Sequence, residues 1–182
     1  FTDTRLGRDE FAALKTSGRL PLGQLPVLVV DGQTISQSSA IVRYCGKLAG
    51  LYPGKDDLVT ARIDEVIGIV EDITTALFKH RGQGEEIVRA GRDEFNKKHG
   101  PTMLGGLESL AKQNKESDQW MCGASLTIAD LSAYYTIGNV VNGYVDHVPK
   151  ETFDKYPRIM AAYNAVASHP KLADWHKAHP WK

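Results

Sequence analysis

The sequence has no excess charge of either sign. Lys and Arg number 22 and so do Asp and Glu, giving a formal net charge of zero. Nucleic acids and anionic membranes select basic surfaces, so neither is expected as a main partner. Cysteine is scarce. Cys45 and Cys122 are too few for a disulfide scaffold and are not spaced as a CxxC pair. Both lie in apolar-periodic stretches, which predicts free core thiols, a reducing compartment and a cytoplasmic protein. Long apolar runs are also absent. The longest, Leu25-Pro26-Val27-Leu28-Val29-Val30, is far short of the roughly 20 residues that a membrane helix needs. No signal-peptide pattern opens the chain and no initiator Met is present; Phe1-Thr2-Asp3-Thr4 reads as the middle of a domain. Among six dispersed histidines, only His176 and His179 are helix-spaced, and no Cys or carboxylate completes a site at ligand spacing, so no metal is expected.

The composition is otherwise that of an ordinary globular protein, 42% hydrophobic and 24% charged over 182 residues. That length can enclose a proper core and suggests one domain, or one and a partial second. Residues 1–52 mix strand and helix signals. Phe1 to Leu6 alternates weakly, as a short strand would. Phe11 and Leu14 lie three apart within Arg8 to Lys15, which predicts a short helix. Val27 to Val30 is β-branched and apolar, a buried strand. Asp31-Gly32 is a strong hairpin signal, with Gln33 to Ser36 as the partner strand. A helix then opens around Ser36-Gln37-Ser38-Ser39, with Ile41, Tyr44, Cys45 and Leu48 as its apolar face.

Gly50 to Gly54 reads as a linker. From Asp56 onward the pattern is helical. Val59, Ile63, Val66, Ile67, Val70, Ile73 and Leu77 trace one long amphipathic helix. Glu85 to Lys98 and Pro101 to Lys112 form two helices, or one broken at Gly100-Pro101. Further helices are expected over Leu126 to Val141, Thr152 to Ser168 and Pro170 to His179. Within Ser125-Leu126-Thr127-Ile128-Ala129-Asp130-Leu131, Thr127 and Asp130 form a capping box and Leu126 faces Leu131 as a hydrophobic staple. The organisation is therefore a small α/β domain over 1–52 followed by an all-helical domain over 56–182.

One segment carries chemistry. It runs through Leu22-Gly23-Gln24-Leu25-Pro26-Val27-Leu28, then Asp31-Gly32, then Gln37-Ser38-Ser39-Ala40-Ile41-Val42-Arg43-Tyr44. A proline at the mouth of a strand cannot donate to the ladder. It suits an edge strand, or a cis bond that leaves the Leu25 N–H and C=O to an extended peptide pairing as an added strand. Ser38 stands at a helix start, where it is a plain N-cap or, with the free N–H groups there, a carboxylate clamp. Together the two features describe a site for a short, acidic, extended ligand.

This arrangement closely resembles the glutathione transferase family, and among its classes the sigma, pi and mu. The resemblance covers essentially the whole chain. It rests on Gly23-Gln24-Leu25-Pro26-Val27-Leu28, Gln37-Ser38 and Ile41-Val42-Arg43-Tyr44, with the capping box after Trp120-Met121-Cys122-Gly123, Tyr156-Pro157 and His169-Pro170-Lys171-Leu172 in support. It implies a thioredoxin-like α/β domain joined to an all-α domain, and glutathione as co-substrate. Gln37 and Ser38 would hold the γ-glutamyl group. Leu25 would pair with the cysteinyl backbone, with cis Pro26 shaping the turn and Gln24 lining the loop. Phe11 and Lys15 would face the glycyl end, Phe11 standing where an indole is usual. Asp72 would reach the γ-glutamyl amine of the neighbouring subunit in a homodimer built on the helix Val59–Phe78. Thr74, Leu77, Phe78 and Lys79 stand where relatives place the electrophile pocket.

The family's first strand and helix, on the order of 25–30 residues, have no counterpart in the sequence. They carry the tyrosine that stabilises the glutathione thiolate, so that residue is expected upstream of Phe1 and no catalytic residue within the chain. Tyr44 and Tyr134-Tyr135 are expected in cores. The resemblance implies conjugation of the glutathione thiol to hydrophobic electrophiles in detoxification. It also accommodates a non-catalytic ligand-binding or structural relative, and a sigma-type glutathione-dependent isomerase.

Overall fold

A computed structural model describes residues 2–54 and 56–179. The chain divides into two compact units, Phe1–Ala49 and Gly50–Lys182.

In the first unit α1 spans Arg8–Thr16, with Asp9 and Glu10 in its first turn and Lys15 in its last, charges that suit the helix dipole. The Glu10 carboxylate accepts the Gly7 N–H at 2.7 Å. Strands β1 (Val27–Val30) and β2 (Gln33–Ser36) form an antiparallel ribbon with Val30 opposite Gln33. Asp31 and Gly32 both take positive φ, 49° and 76°. This is the type I′ geometry that matches strand twist, and Asp-Gly is suited to it. Helix α2 spans Ser38–Ala49.

The first unit corrects three expectations. Residues 2–6 are irregular rather than a strand, and Phe1 lies outside the described residues. Among the described residues the sheet has only β1 and β2, so residues 2–6 have no partner to satisfy their backbone groups. Strand β1 is only half-buried, with Val29 59% exposed. Cys45 and Leu48 are exposed rather than core, while Ser39, Val42 and Gly46 on a neighbouring stripe are more covered. Two strands about 5 Å apart are too narrow to cover the whole apolar arc of a helix about 10 Å across.

The second unit is helical. Helix α3 spans Asp57–Phe78, and the Asp56 carboxylate caps it by accepting the N–H groups of Leu58 and Val59. Of its expected apolar stripe, Ile63, Val66, Ile67, Val70, Ile73 and Leu77 are buried as the periodicity predicts, whereas Val59 in the first turn is only half-buried. Helix α4 (Glu85–Glu94) does not break at Gly100-Pro101. It runs through a π-helical turn, Phe95–His99, into α5 (Gly100–Gln113). Pro101 then falls at the start of α5, where a missing N–H does least harm. A Cβ on Gly100 would lie 2.9 Å from the Phe95 carbonyl oxygen, so the turn requires glycine there.

Helix α6 (Ile128–Val141) opens on the expected capping box. Asp130 accepts the N–H of Thr127 at 2.8 Å, its hydroxyl at 2.9 Å and the N–H of Met121 at 2.8 Å. A 3₁₀ turn over Lys150–Phe153 precedes α7 (Pro157–Ala167), which starts later than the sequence suggests because Pro157 supplies its first turn. Helix α8 spans Pro170–Ala178. The core is centred on Ile63, Leu77, Phe95, Leu104, Met121 and Ile159. Tyr134 stacks on Tyr163 with ring centres 5.1 Å apart, but Tyr135 is exposed rather than core. Among the described residues no helix is long and apolar enough to cross a membrane.

Candidate functional site

The rung Val27–Ser36 closes one end of the β ribbon. Going outward from it, one strand continues into Pro26 and Leu25 and the other into Gln37 and Ser38. The Leu25-Pro26 bond is cis, the one of the two sequence alternatives that the family resemblance implies. Leu25 and Pro26 lie outside the ladder and are exposed, as is Gln24. Across the ribbon, Gln37 takes a left-handed φ of 72°, uncommon for a residue with a side chain. Its carbonyl accepts the Ile41 N–H at 3.0 Å, so Gln37 caps α2 and Ser38 is the first helical residue. Ser38 is therefore not the N-cap. Gln37 and Ser38 are exposed, and no acidic side chain occupies the first turn of α2. Unpaired N–H groups and the positive end of the dipole are thus left available to an anion.

Helix α1 reaches the same tract. The Lys15 ammonium lies 5.3 Å from the centre of the Phe11 ring, and the Lys15 stem passes 3.5 Å from where a Cβ on Gly23 would stand. Gly23 donates to the Leu20 carbonyl at 3.0 Å, closing the turn that leads into Gln24 and Leu25. Phe11, Lys15, Gln24, Leu25 and Pro26 therefore form one tract, and Gln37 and Ser38 stand across the ribbon end from it. Sequence reasoning missed Ser36. Its buried Oγ has no hydrogen-bond partner among the described residues. A serine in a strand gives no sign of that.

Asp72 lies on the second unit, exposed on α3. It lines a groove of about 430 Å³ with Thr75, Lys79, His80, Glu94 and His99. The Glu94 carboxyl is held below its usual range by the hydrogen bond from His99 at 3.1 Å, with the charges of His99, Lys79 and Lys98 adding to it. Of the expected electrophile residues, Thr74, Leu77 and Phe78 stand at i, i+3 and i+4 on one face of α3, and they are turned into packing rather than onto an open pocket. Leu77 is fully buried. Thr74 Oγ1 donates to the Val70 carbonyl at 2.8 Å and lies 2.8 Å from Thr136 Oγ1. The Phe78 ring is flanked by the guanidinium groups of Arg81 at 5.7 Å and Arg92 at 5.5 Å. Lys79 alone of the four lines the groove. Burial lowers the Arg92 pKa against the opposing pull of Asp146. Among the described residues no three His, Cys, Asp or Glu side chains converge as a metal site would require.

Residues 1–47 match the family model described as glutathione S-transferase, N-terminal domain, and residues 69–179 match the corresponding C-terminal domain. The chain belongs to the glutathione S-transferase family. Its fold is that of the family, a thioredoxin-like domain and a helical one, and its class of enzyme is a transferase. It is 28% identical to Glutathione S-transferase 3 of Caenorhabditis elegans, over 96% of this chain and 82% of that protein. It is 27% identical to the hematopoietic prostaglandin D synthase of Gallus gallus, over 99% of this chain and 84% of that one. The solved structure of prostaglandin synthase D of Nilaparvata lugens matches with a TM-score of 0.83 at 26% identity, covering 99% of this chain and 85% of the other.

Proposed function

We propose that this glutathione transferase joins the glutathione thiol to hydrophobic electrophiles, as a cytoplasmic homodimer acting in detoxification. The observation that carries the reading is the end of the β ribbon, where Leu25 and cis Pro26 stand across from Gln37 and Ser38. Glutathione is a short, extended, acidic peptide and suits that place. Its γ-glutamyl carboxylate sits at the start of α2, held by the Ser38 hydroxyl and N–H beside Gln37. Its cysteinyl residue pairs with the main chain of Leu25 as an added strand would. Gln24 and Pro26 bound the same stretch. The glycyl carboxylate faces Lys15 beside Phe11, a pair that offers a cation but no indole N–H. In the dimer, with α3 at the interface, Asp72 reaches the γ-glutamyl amine of the neighbouring subunit's glutathione.

These residues bind and orient. A free thiol has a pKa of about 8.5 and must ionise to attack near neutrality. The reading assigns that task to none of residues 1–182. In conjugation a new C–S bond forms while the leaving group departs with its electron pair. Neither step requires a metal.

Calorimetric titration with reduced glutathione is the direct test. One tripeptide bound per chain supports the reading, and no binding at millimolar glutathione overturns it. Turnover of a model aromatic halide then separates a transferase from a ligand carrier. A second reading, a glutathione-dependent isomerase, is favoured by the likeness to the two prostaglandin D synthases. Conversion of an endoperoxide without net consumption of glutathione distinguishes it.

A further inference from the structure

The Ser36 hydroxyl is the one buried side-chain polar atom of the first unit without a hydrogen-bond partner among the described residues. Such groups are rare, because a buried donor that has lost water and found nothing in exchange destabilises the fold. Its neighbour in sequence, Gln37, holds a φ of 72°, a left-handed backbone conformation that residues other than Gly, Asn, Asp and His seldom adopt. Two local penalties therefore fall on adjacent residues, at the last rung of the ribbon and one step from Ser38. Penalties of this kind gather at ligand clamps, where the bound state relieves what the free state carries.

We propose that Ser36 is a positioning residue of the glutathione site. Its hydroxyl is held in reserve at the foot of the Gln37–Ser38 turn and completes its hydrogen bond only when a γ-glutamyl group occupies that turn. The inference rests on the reading of this turn as the γ-glutamyl subsite. It predicts an opposition that a merely structural serine would not produce. Removing the hydroxyl should stabilise the free protein and weaken the complex.

The test compares wild type, Ser36→Ala and Ser36→Thr by calorimetric titration with reduced glutathione and by thermal melting without it. For Ser36→Ala the expected result is a five- to tenfold rise in Kd. Its melting temperature without ligand should be unchanged or raised by about 2–4 °C, the shift that loss of one unsatisfied group produces in a chain of this size. Ser36→Thr keeps the hydroxyl and should restore the affinity. If Ser36→Ala binds glutathione as wild type does, the inference is overturned while the site reading survives. Weakened binding that Ser36→Thr does not restore also overturns it, because the hydroxyl is then not the cause. If wild type itself does not bind glutathione, the site reading falls and this inference falls with it.

Discussion

Asp130 and Thr127 satisfy one another across the start of α6, the carboxylate accepting both the N–H and the hydroxyl of Thr127. The same carboxylate accepts the Met121 N–H and so ties the loop before the helix to its first turn. Asp130→Ala removes a cap and leaves buried donors unmet, for an expected loss of about 2–4 kcal/mol. Urea denaturation of the variant measures it.

The same residue sets a pH dependence. Burial raises the Asp130 pKa, and the hydrogen bonds its carboxyl accepts from Met121, from Thr127 and from its own backbone only partly counter that. The folded state therefore holds the proton more tightly than the unfolded chain, where an aspartate titrates near 3.9. Its contribution to stability is fully present below that value and is lost as pH rises through the raised one. The stability of wild type relative to Asp130→Asn should thus fall as pH rises from about 4 towards neutrality. A constant difference across that range would show that the carboxyl titrates alike in both states.

The π-helical turn gives a reversed sign for a familiar substitution. Replacing a helical glycine by alanine usually stabilises by up to about 1 kcal/mol. Gly106 in α5 has open space where a Cβ would go, so Gly106→Ala should show that gain. At Gly100 the new Cβ would meet the Phe95 carbonyl and ring at 2.9 Å. Gly100→Ala should therefore destabilise, by about 1–3 kcal/mol. Paired melting curves check both signs.

What could be read from the sequence was local. Asp31-Gly32 dictates its turn, Thr127-x-x-Asp130 its cap, and the apolar stripe from Ile63 to Leu77 the buried face of α3, because each rests on residues within a few positions of one another. The Gln37-Ser38 helix start was legible for the same reason, whereas the cis form of the Leu25-Pro26 bond came from the family resemblance, the residues alone leaving an edge-strand proline equally open. Their placement at one end of the ribbon follows from a two-residue turn that sets the register. Features set by distant packing could not be read this way. Which arc of α2 is covered depends on how much sheet lies against it, and Cys45 and Leu48 consequently fell on the exposed side. The exposure of Tyr135, the packing of Thr74, Leu77 and Phe78 against other elements, and the Ser36 hydroxyl without a partner among the described residues all depend on neighbours far away in sequence. The π turn arises from the close approach of Gly100 to Phe95, which a proline signal alone reads as a break.

The two thiols should separate in reactivity. Cys45 is exposed, whereas Cys122 is buried and its pKa is pushed up to about 12, first by burial and then by the carboxylates of Asp130 and Glu65. The thiolate is the reactive form, so native Cys122 offers almost none near neutrality. Iodoacetamide should modify one cysteine per folded chain, at Cys45, and a second only after unfolding. Peptide mass mapping before and after urea treatment reads the outcome. Labelling of Cys122 at the same rate as Cys45 would contradict the packing of the loop before α6.

Asp72 offers the sharpest test of the assembly. It is exposed on α3. Its proposed role needs a second copy of the chain to bring a glutathione amine to it. Asp72→Asn should then raise the glutathione Kd by about fivefold, an exposed to half-buried ion pair supplying on the order of 1 kcal/mol, while leaving the melting temperature without ligand unchanged. The effect should vanish on dilution below the dimer dissociation constant, because the carboxylate and its target belong to different chains. Sedimentation velocity run over the same concentration range supplies the comparison. A sensitivity to Asp72→Asn that persists in a purely monomeric sample would place the carboxylate in its own subunit's site. A monomer at all concentrations with no sensitivity would remove Asp72 from the site and α3 from any interface.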